Sequence, residues 1–299
     1  MNVIPSTRPI PDRHTSRAKI RLRYEDLTQE GRLRLIAMPE CLSRTTWGKL
    51  IGPSRLYRQL TAQGIVAVLT RLAITAGAGP LSIQNPLNAT GRLRFAHTLD
   101  DDAEVQRIVL NMWGEAEAPL ASTRDPQPPN AGTSVSAGRI FAEHTLTRPF
   151  APAGARSVTQ LEDIDGLSPF PKERYLGESP RALLALPRGA TALEAFSMDA
   201  PPIVFGLDDT DDNQHVNALV YLRLFRVAAL QRLAKHQSPE VRQLQTAEIG
   251  FRKPCFAGEQ LYLRIRAFHL GSRTGALCTL GPQSADRQPS CYARLTFGS

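Results

Sequence analysis

Hydrophobic and polar positions alternate along most of the chain, with two different periods. From "AKIRLRYEDL" to "GRLRLIAMP", Ile20, Leu22 and Tyr24 and then Leu33, Leu35 and Ala37 recur at every second residue. A period of two predicts strands, with Gly31 near the turn between them. The period then lengthens: Leu50, Leu56, Leu60, Val66 and Leu69 recur at helical spacing, predicting a helical segment from about Ser43 to Ala76. Ser43, Thr45 and Thr46 can cap its start, and Gly52-Pro53 is expected to break or kink it. The segments "LSIQN", "GRLRFAHTL", "EVQRIVLNMWGEAEA" and "GRIFAEHTLTRPF" read as strands again, and "APLASTRDPQPPNAGTSVS" between the last two reads as a surface loop.

The second half repeats this order. "PPIVFGLDD" predicts a short strand and "NALVYLRLFRVAALQRLAK" a helix. "VRQLQTAEIGFRKP", "EQLYLRIRAFHL", "TGALCTLG" and "SCYARLTFGS" follow as strands, with Gly or Pro at the turns. The connecting stretch carries Pro169, Pro171, Pro180 and Pro187, with a short helix expected at "SPRALLAL". Both helices are almost wholly apolar. Over 216–234 only Asn217, Arg223, Arg226, Gln231 and Arg232 are strongly polar, the pattern of a helix surrounded by protein. A curved antiparallel sheet around a central helix, the hotdog arrangement, satisfies that pattern. The expected fold is α+β, a double hotdog of two antiparallel sheets each wrapped around a central helix. Residues 1–17 are expected to form a loosely docked N-terminal arm, 18–155 the first hotdog, 156–200 the connection and 201–299 the second hotdog.

Composition narrows the setting. At 299 residues and 42% apolar content, a globular protein of two domains is expected. No apolar run reaches the roughly 20 residues of a membrane span, and "MNVIPSTRPIPDRHTSR" lacks the apolar core of a signal peptide. A cytoplasmic protein without a membrane partner follows as the expectation. Cys41, Cys255, Cys278 and Cys291 form no CxxC pair, so neither a zinc site nor a disulfide framework is expected. They read as buried thiols, although Cys41 lies close to a predicted helix start, where a thiol pKa can fall. The net charge of +8 suits phosphates of CoA or an acidic carrier protein. Its basic residues are dispersed and only 6% of the chain is aromatic, so nucleic acid is not the expected partner.

Candidate chemistry concentrates in "DDTDDNQHVNALVYLRLF", residues 208–225. Asp209, Asp211, Asn213, His215 and Asn217 alternate there, and an extended approach would point them the same way. Asp and Asn are preferred helix caps, so a purely structural reading stands beside a functional one. In the functional reading, a helix N-terminus offers free N–H groups and partial positive charge to a thioester carbonyl. A carboxylate and an imidazole beside it supply base or nucleophile.

The segment "DTDDNQHVNALVYLRLF" resembles the D-x-N-x-H-V-N motif of fatty acyl-carrier-protein thioesterases, which are double hotdogs. That resemblance implies catalytic roles for Asp211, Asn213 and His215, with Asp209, Val216 and Asn217 as substrate-binding neighbours. "FRKPCFAGEQLYLRIRAF" resembles the hairpin that follows in the same family. Those thioesterases carry a further carboxylate beyond the motif, expected within the helix, and here that place is Arg226-Val227. The whole chain is similar to a second double-hotdog family, that of the leinamycin-pathway acyltransferase/decarboxylase. This implies transfer of a malonyl-type acyl group from CoA to an acyl carrier protein with decarboxylation, in polyketide metabolism. In that family a tyrosine takes the acyl group; Tyr57 is the candidate here, with ordinary packing as its alternative. No metal or cofactor is implied, because CoA or phosphopantetheine thioesters enter as substrates. Thioester hydrolysis, hotdog dehydration and a non-catalytic carrier-docking module are the alternatives. The first strand-to-helix junction, "MPECLSRTTW", lacks the Asp/Asn/His set, so one competent site per chain, between the halves, is expected. The expected state is monomer or homodimer.

Overall fold

The computed structural model describes residues 3–125, 128–162, 164, 167–199, 201–236, 243–284 and 286–298. Met1, Asn2, Ala200 and Ser299 lie outside the described residues, as do Pro126 and Gln127 of the expected loop and Val241 and Arg242 of an expected strand. The chain divides into two compact units, Met1–Gly177 and Glu178–Ser299.

In the first unit the strands are β1 (Thr15–Ile20), β2 (Val66–Ala76), β3 (Leu87–Leu99), β4 (Val105–Pro119) and β5 (Ser134–Thr147). They lie in the order β1-β3-β4-β5-β2, every neighbouring pair antiparallel. β3 shows why the sequence pairs this way: Leu87, Ala89, Leu93 and Phe95 are buried on alternate positions. Within the described part of the arm, Ser6–Pro9 and Pro11–Arg13 are exposed, and the start is packed. Val3 and Ile4 join a buried cluster with Ala73, Trp113 and Phe141, and the Trp113 Nε1–H donates to the Pro5 carbonyl at 3.0 Å. Thr15–Arg17 already belong to β1.

The long helix expected over 43–76 is not formed. The chain instead makes α1 (Pro39–Leu42), a π-helix at Ser43–Ile51, α2 (Arg55–Ala62) and then the strand β2. The break falls at Gly52-Pro53, with the Gly52 N–H on the Trp47 carbonyl at 2.8 Å. Ser54 restarts the helix, its Oγ accepting from the Tyr57 N–H at 3.1 Å. Gly64 ends it. At φ +68° it brings its own N–H to the Thr61 carbonyl and the Ile65 N–H to the Leu60 carbonyl, both at 2.9 Å. This is a Schellman stop, after which Val66, Val68 and Ile74 favour the sheet.

Two strand expectations also fail. Leu33 pairs with Leu27 only through an isolated bridge, and Leu35–Ala37 turns into a 3-10 helix. "LSIQN" lies between Pro80 and Pro86 and pairs with no strand among the described residues.

The π-helix is pressed onto the sheet. Thr45 and Thr46 are fully buried, their hydroxyls donating back to the Cys41 and Leu42 carbonyls. Gly91 of β3 lies beneath them, and Gly114, opposite it on β4, lies beneath Cys41 and Leu42 of α1. A Cβ at Gly91 would overlap Thr45, and one at Gly114 would lie 2.7 Å from Ile140 Cγ2. Only glycine permits this approach.

The second unit holds β9 (Gln243–Phe251), β10 (Gln260–Leu270), β11 (Arg273–Gly281) and β12 (Cys291–Gly298) in the order β9-β12-β11-β10. Three two-residue strands, β6 (Thr191–Ala192), β7 (Ser197–Met198) and β8 (Ile203–Val204), run antiparallel along β10 as one interrupted strand. Leu261, Leu263, Ile265 and Ala267 of β10 are buried between half-exposed Tyr262, Arg264 and Arg266. The expected short helix appears as a 3-10 segment at Pro180–Leu184, whose Pro180 packs over Gly250 of β9.

The helix α3 (Ala218–Lys235) crosses this sheet. It is one-sided rather than surrounded: Tyr221, Leu222, Phe225, Ala228, Ala229, Arg232 and Leu233 are buried, while Arg223, Arg226, Val227 and Gln231 are exposed. Alanine and valine on the open side erase the polar face that the period would otherwise reveal. Buried Arg232 hydrogen-bonds Glu194, Ser197 and Asp199, tying the end of α3 to the interrupted strand. Burial raises the Glu194 pKa, but bonds from Arg232 and the Ala267 N–H outweigh it and hold the carboxyl below its ordinary value.

Candidate active site

The chain enters the motif through β8 and a 3-10 turn, Leu207–Asp209, and leaves it through α3. Between them residues 210–216 fold into a narrow hairpin. Thr210 and Val216 form an antiparallel bridge, the Asp211 N–H donates to the His215 carbonyl at 3.1 Å, and the Gln214 N–H to the Asp211 carbonyl at 2.8 Å. Gln214 closes the turn with φ 64°, a left-handed conformation that costs a non-glycine residue about 1 kcal/mol. The approach is therefore not extended. Asp211 and His215 come together across the neck of the hairpin, and Asn213 sits exposed at its tip.

Asp211 is held from both sides. Its Oδ1 accepts the Asn213 N–H at 3.0 Å, and its Oδ2 accepts from Asn217 Nδ2 at 3.1 Å. His215 Nδ1 stands 4.0 Å from Asp211 Oδ1, with the imidazole 37% and the carboxylate 30% exposed. At this separation the two side chains face each other without a direct hydrogen bond.

Asn217 starts α3. Its Oδ1 accepts the Leu219 N–H at 2.9 Å, and its own N–H donates to the Asp209 carbonyl at 2.9 Å. With Leu219 taken by the cap and the Val220 N–H on the Asn217 carbonyl, Ala218 N–H is the remaining donor of the first turn. The helix adds its partial positive charge at the same point. Asp209 braces the base of the loop, accepting the Gly206 N–H at 3.0 Å and facing Arg223 Nη2 at 3.4 Å. Val216 is buried, its N–H on the Cys255 carbonyl at 2.9 Å.

The Cys255 anchor had no signal in the sequence. Its carbonyl holds the hairpin, and its thiol meets the hydroxyl of Tyr221, one turn into α3. The Tyr221 ring packs against Phe205 and Phe251 at 5.9 and 5.5 Å between centroids. Burial, reinforced by Cys255, pushes the Tyr221 phenol far above its ordinary pKa; burial also raises the Cys255 thiol against opposing bonds from Tyr221 and Ser290. Both stay neutral and serve as supports. Cys41 is likewise inert: burial pushes its thiol up to about 12.

Tyr57 lies on α2 of the first unit and is 44% exposed. α3 contains no carboxylate, and Arg226 and Val227 point outward from it. The buried Glu248 of β9 is paired with Arg294 at 2.7 Å. By strand alternation it lies on the face opposite Phe251, which touches Tyr221 of α3. Among the described residues no group of three or more His, Cys, Asp or Glu is placed to hold a metal ion. No helix among them is long and apolar enough to cross a membrane.

Neither a family model nor a curated protein matches the chain. Solved structures do match it in fold. One described as an oleoyl thioesterase from Lactobacillus plantarum aligns with a TM-score of 0.60 at 12% identity, covering 95% of this chain and 96% of its own. The 12:0-ACP thioesterase from Umbellularia californica gives 0.58 at 11% identity, over 95% and 93% of the two chains. An acyl-ACP thioesterase from Bacteroides thetaiotaomicron gives 0.54 at 12%, over 96% and 98%. At such identities the likeness is one of fold. The chain is an antiparallel-sheet protein with few helices, matching the hotdog type of these thioesterases.

Proposed function

We propose that this chain is an enzyme that cleaves acyl thioesters of CoA or acyl carrier protein, each unit being one hotdog of a double hotdog. The observation that carries this reading is the Asp211–His215 pair facing across a hairpin at the positive end of α3. When substrate binds, the 4.0 Å gap between Asp211 Oδ1 and His215 Nδ1 shortens to a hydrogen bond that orients the imidazole, and Nε2 takes a proton from water as the oxygen attacks the thioester carbonyl. Ala218 N–H and the exposed Asn213 carboxamide meet the oxyanion. Collapse breaks the carbon–sulfur bond, and His215 returns the proton to the departing thiolate, leaving a free acid and a thiol. The thioesterases of matching fold support this class of substrate.

A second reading replaces water by the thiol of a carrier protein and adds decarboxylation of a malonyl-type group, with Tyr57 as the acyl acceptor. The absence of a carboxylate from α3 favours it, since nothing on that helix assists a water. One assay separates the two: acyl-CoA, acyl carrier protein, and methylmalonyl-CoA with holo carrier protein are each incubated with the enzyme, followed by intact-mass analysis. Free acid and free thiol are expected. A decarboxylated acyl carrier would establish the second reading, and no product from any thioester would sink both.

A further inference from the structure

We propose that Asn217 is a positioning residue that couples the start of α3 to the Asp211 carboxylate facing His215, rather than a substrate contact. The inference rests on the reading of Asp211 and His215 given above. An N-cap needs only an acceptor, and Ser, Thr or Asp supply one equally well. Asn217 does more with the same group. Its Oδ1 takes the Leu219 N–H at 2.9 Å while its Nδ2 donates to Asp211 Oδ2 at 3.1 Å. Which end of the carboxamide faces which partner is fixed by the network, because the Leu219 N–H demands an oxygen and the carboxylate demands a donor. The backbone of Asn217 is held as well, its N–H on the Asp209 carbonyl at 2.9 Å.

The Asp211 carboxylate is thereby fixed in plane. Oδ2 is tied to the helix cap, Oδ1 to the Asn213 N–H at 3.0 Å, and Oδ1 is the oxygen turned to His215 Nδ1. Loss of the Nδ2 donor frees the carboxylate to rotate away from the imidazole, even with the helix start intact. Ser at this position keeps the cap acceptor and is too short to bridge to Asp211.

The test compares Asn217→Ser and Asn217→Ala with wild-type full-length protein. Both variants are expected to lose roughly 10- to 100-fold in kcat at nearly unchanged KM, while only Asn217→Ala loses thermal stability. Wild-type kcat in Asn217→Ser would make the residue a cap alone, and a raised KM at constant kcat would make it a substrate contact; either overturns the proposal. A second measurement needs no turnover. The Asn217 side-chain amide resonance is expected to be protected from solvent exchange and to lose that protection in Asp211→Ala. Unchanged protection in Asp211→Ala overturns the proposal whatever the activity. Full turnover by Asp211→Ala would instead defeat the functional reading.

Discussion

The two units solve the same local problem, where to begin a helix laid across an antiparallel sheet, in opposite ways. In the second unit the junction is polar and open: a hairpin bearing Asp211, Asn213 and His215, a capping Asn217 and a regular α3. In the first, the junction is closed. Met38 and Cys41 are buried at 1% exposure, no side chain caps α1, which lies over Gly114, and the helix widens into a π-helix lodged over Gly91. A helix N-terminus offers donors to a ligand only where its first turn is left accessible. The first unit buries the start of its helix, whereas the second packs α3 but leaves the hairpin before it partly exposed.

The sharpest way to break this contrast is to change one residue at each junction. His215→Ala is expected to lower kcat about 10²- to 10⁴-fold with the melting temperature nearly unchanged. Glu40→Ala, which removes the ion pair to Arg44 at 2.6 Å, should leave turnover intact. A large stability loss and little activity loss in His215→Ala would assign the motif to structure.

The closed junction makes its own prediction about pH. His144 is buried on β5 edge-on to Trp47 of the π-helix, with ring centroids 5.3 Å apart. Burial lowers its pKa from 6.5 to about 4, with a backbone bond at Leu110 opposing. The unfolded chain therefore binds the extra proton first. The His144 contribution is full above pH 6.5, is lost as the pH drops towards 4, and levels off below it, by up to roughly 3 kcal/mol in this interval. Chemical denaturation across this range should show the slope, and His144→Leu should lose this component.

Smaller effects probe the packing. Gly91→Ala sets a Cβ against Thr45 and is expected to cost about 1–3 kcal/mol, read as a shift of the urea midpoint. Gly64→Ala meets no neighbour within 4 Å but must hold φ +68°, so about 1 kcal/mol is expected from backbone strain alone. Equal costs at the two positions would show that the tight approach in the first unit is not strained by an added methyl.

Much of the fold was legible in residue order. Alternation identified β3 and β10, whose faces differ in burial, whereas β4, β9, β11 and β12 are buried almost continuously and were legible as short apolar segments bounded by Gly or Pro turns. The helix from Ala218 was legible from its apolar length. Gly64 was the missed signal in the first unit: leucines continue at helical spacing past it, but a left-handed glycine after Leu60–Gln63 stops the helix, and β-branched residues follow. In the motif, the residue types at positions 211, 213 and 215 pointed to chemistry. Their geometry did not follow from alternation, because a left-handed Gln214 converts an expected pleat into a turn.

The sequence by itself determined the antiparallel strands, the apolar helix and the concentration of cap-forming and titratable residues immediately before it. These are local consequences of period and side-chain type. Tertiary structure alone decided that Asp211 faces His215, that Asn217 joins helix to carboxylate, that Cys255 clamps the hairpin, and that the first helix is flattened onto two glycines. Each depends on groups brought together by turns or by strands distant in sequence, and a one-dimensional pattern carries no record of which donor meets which acceptor.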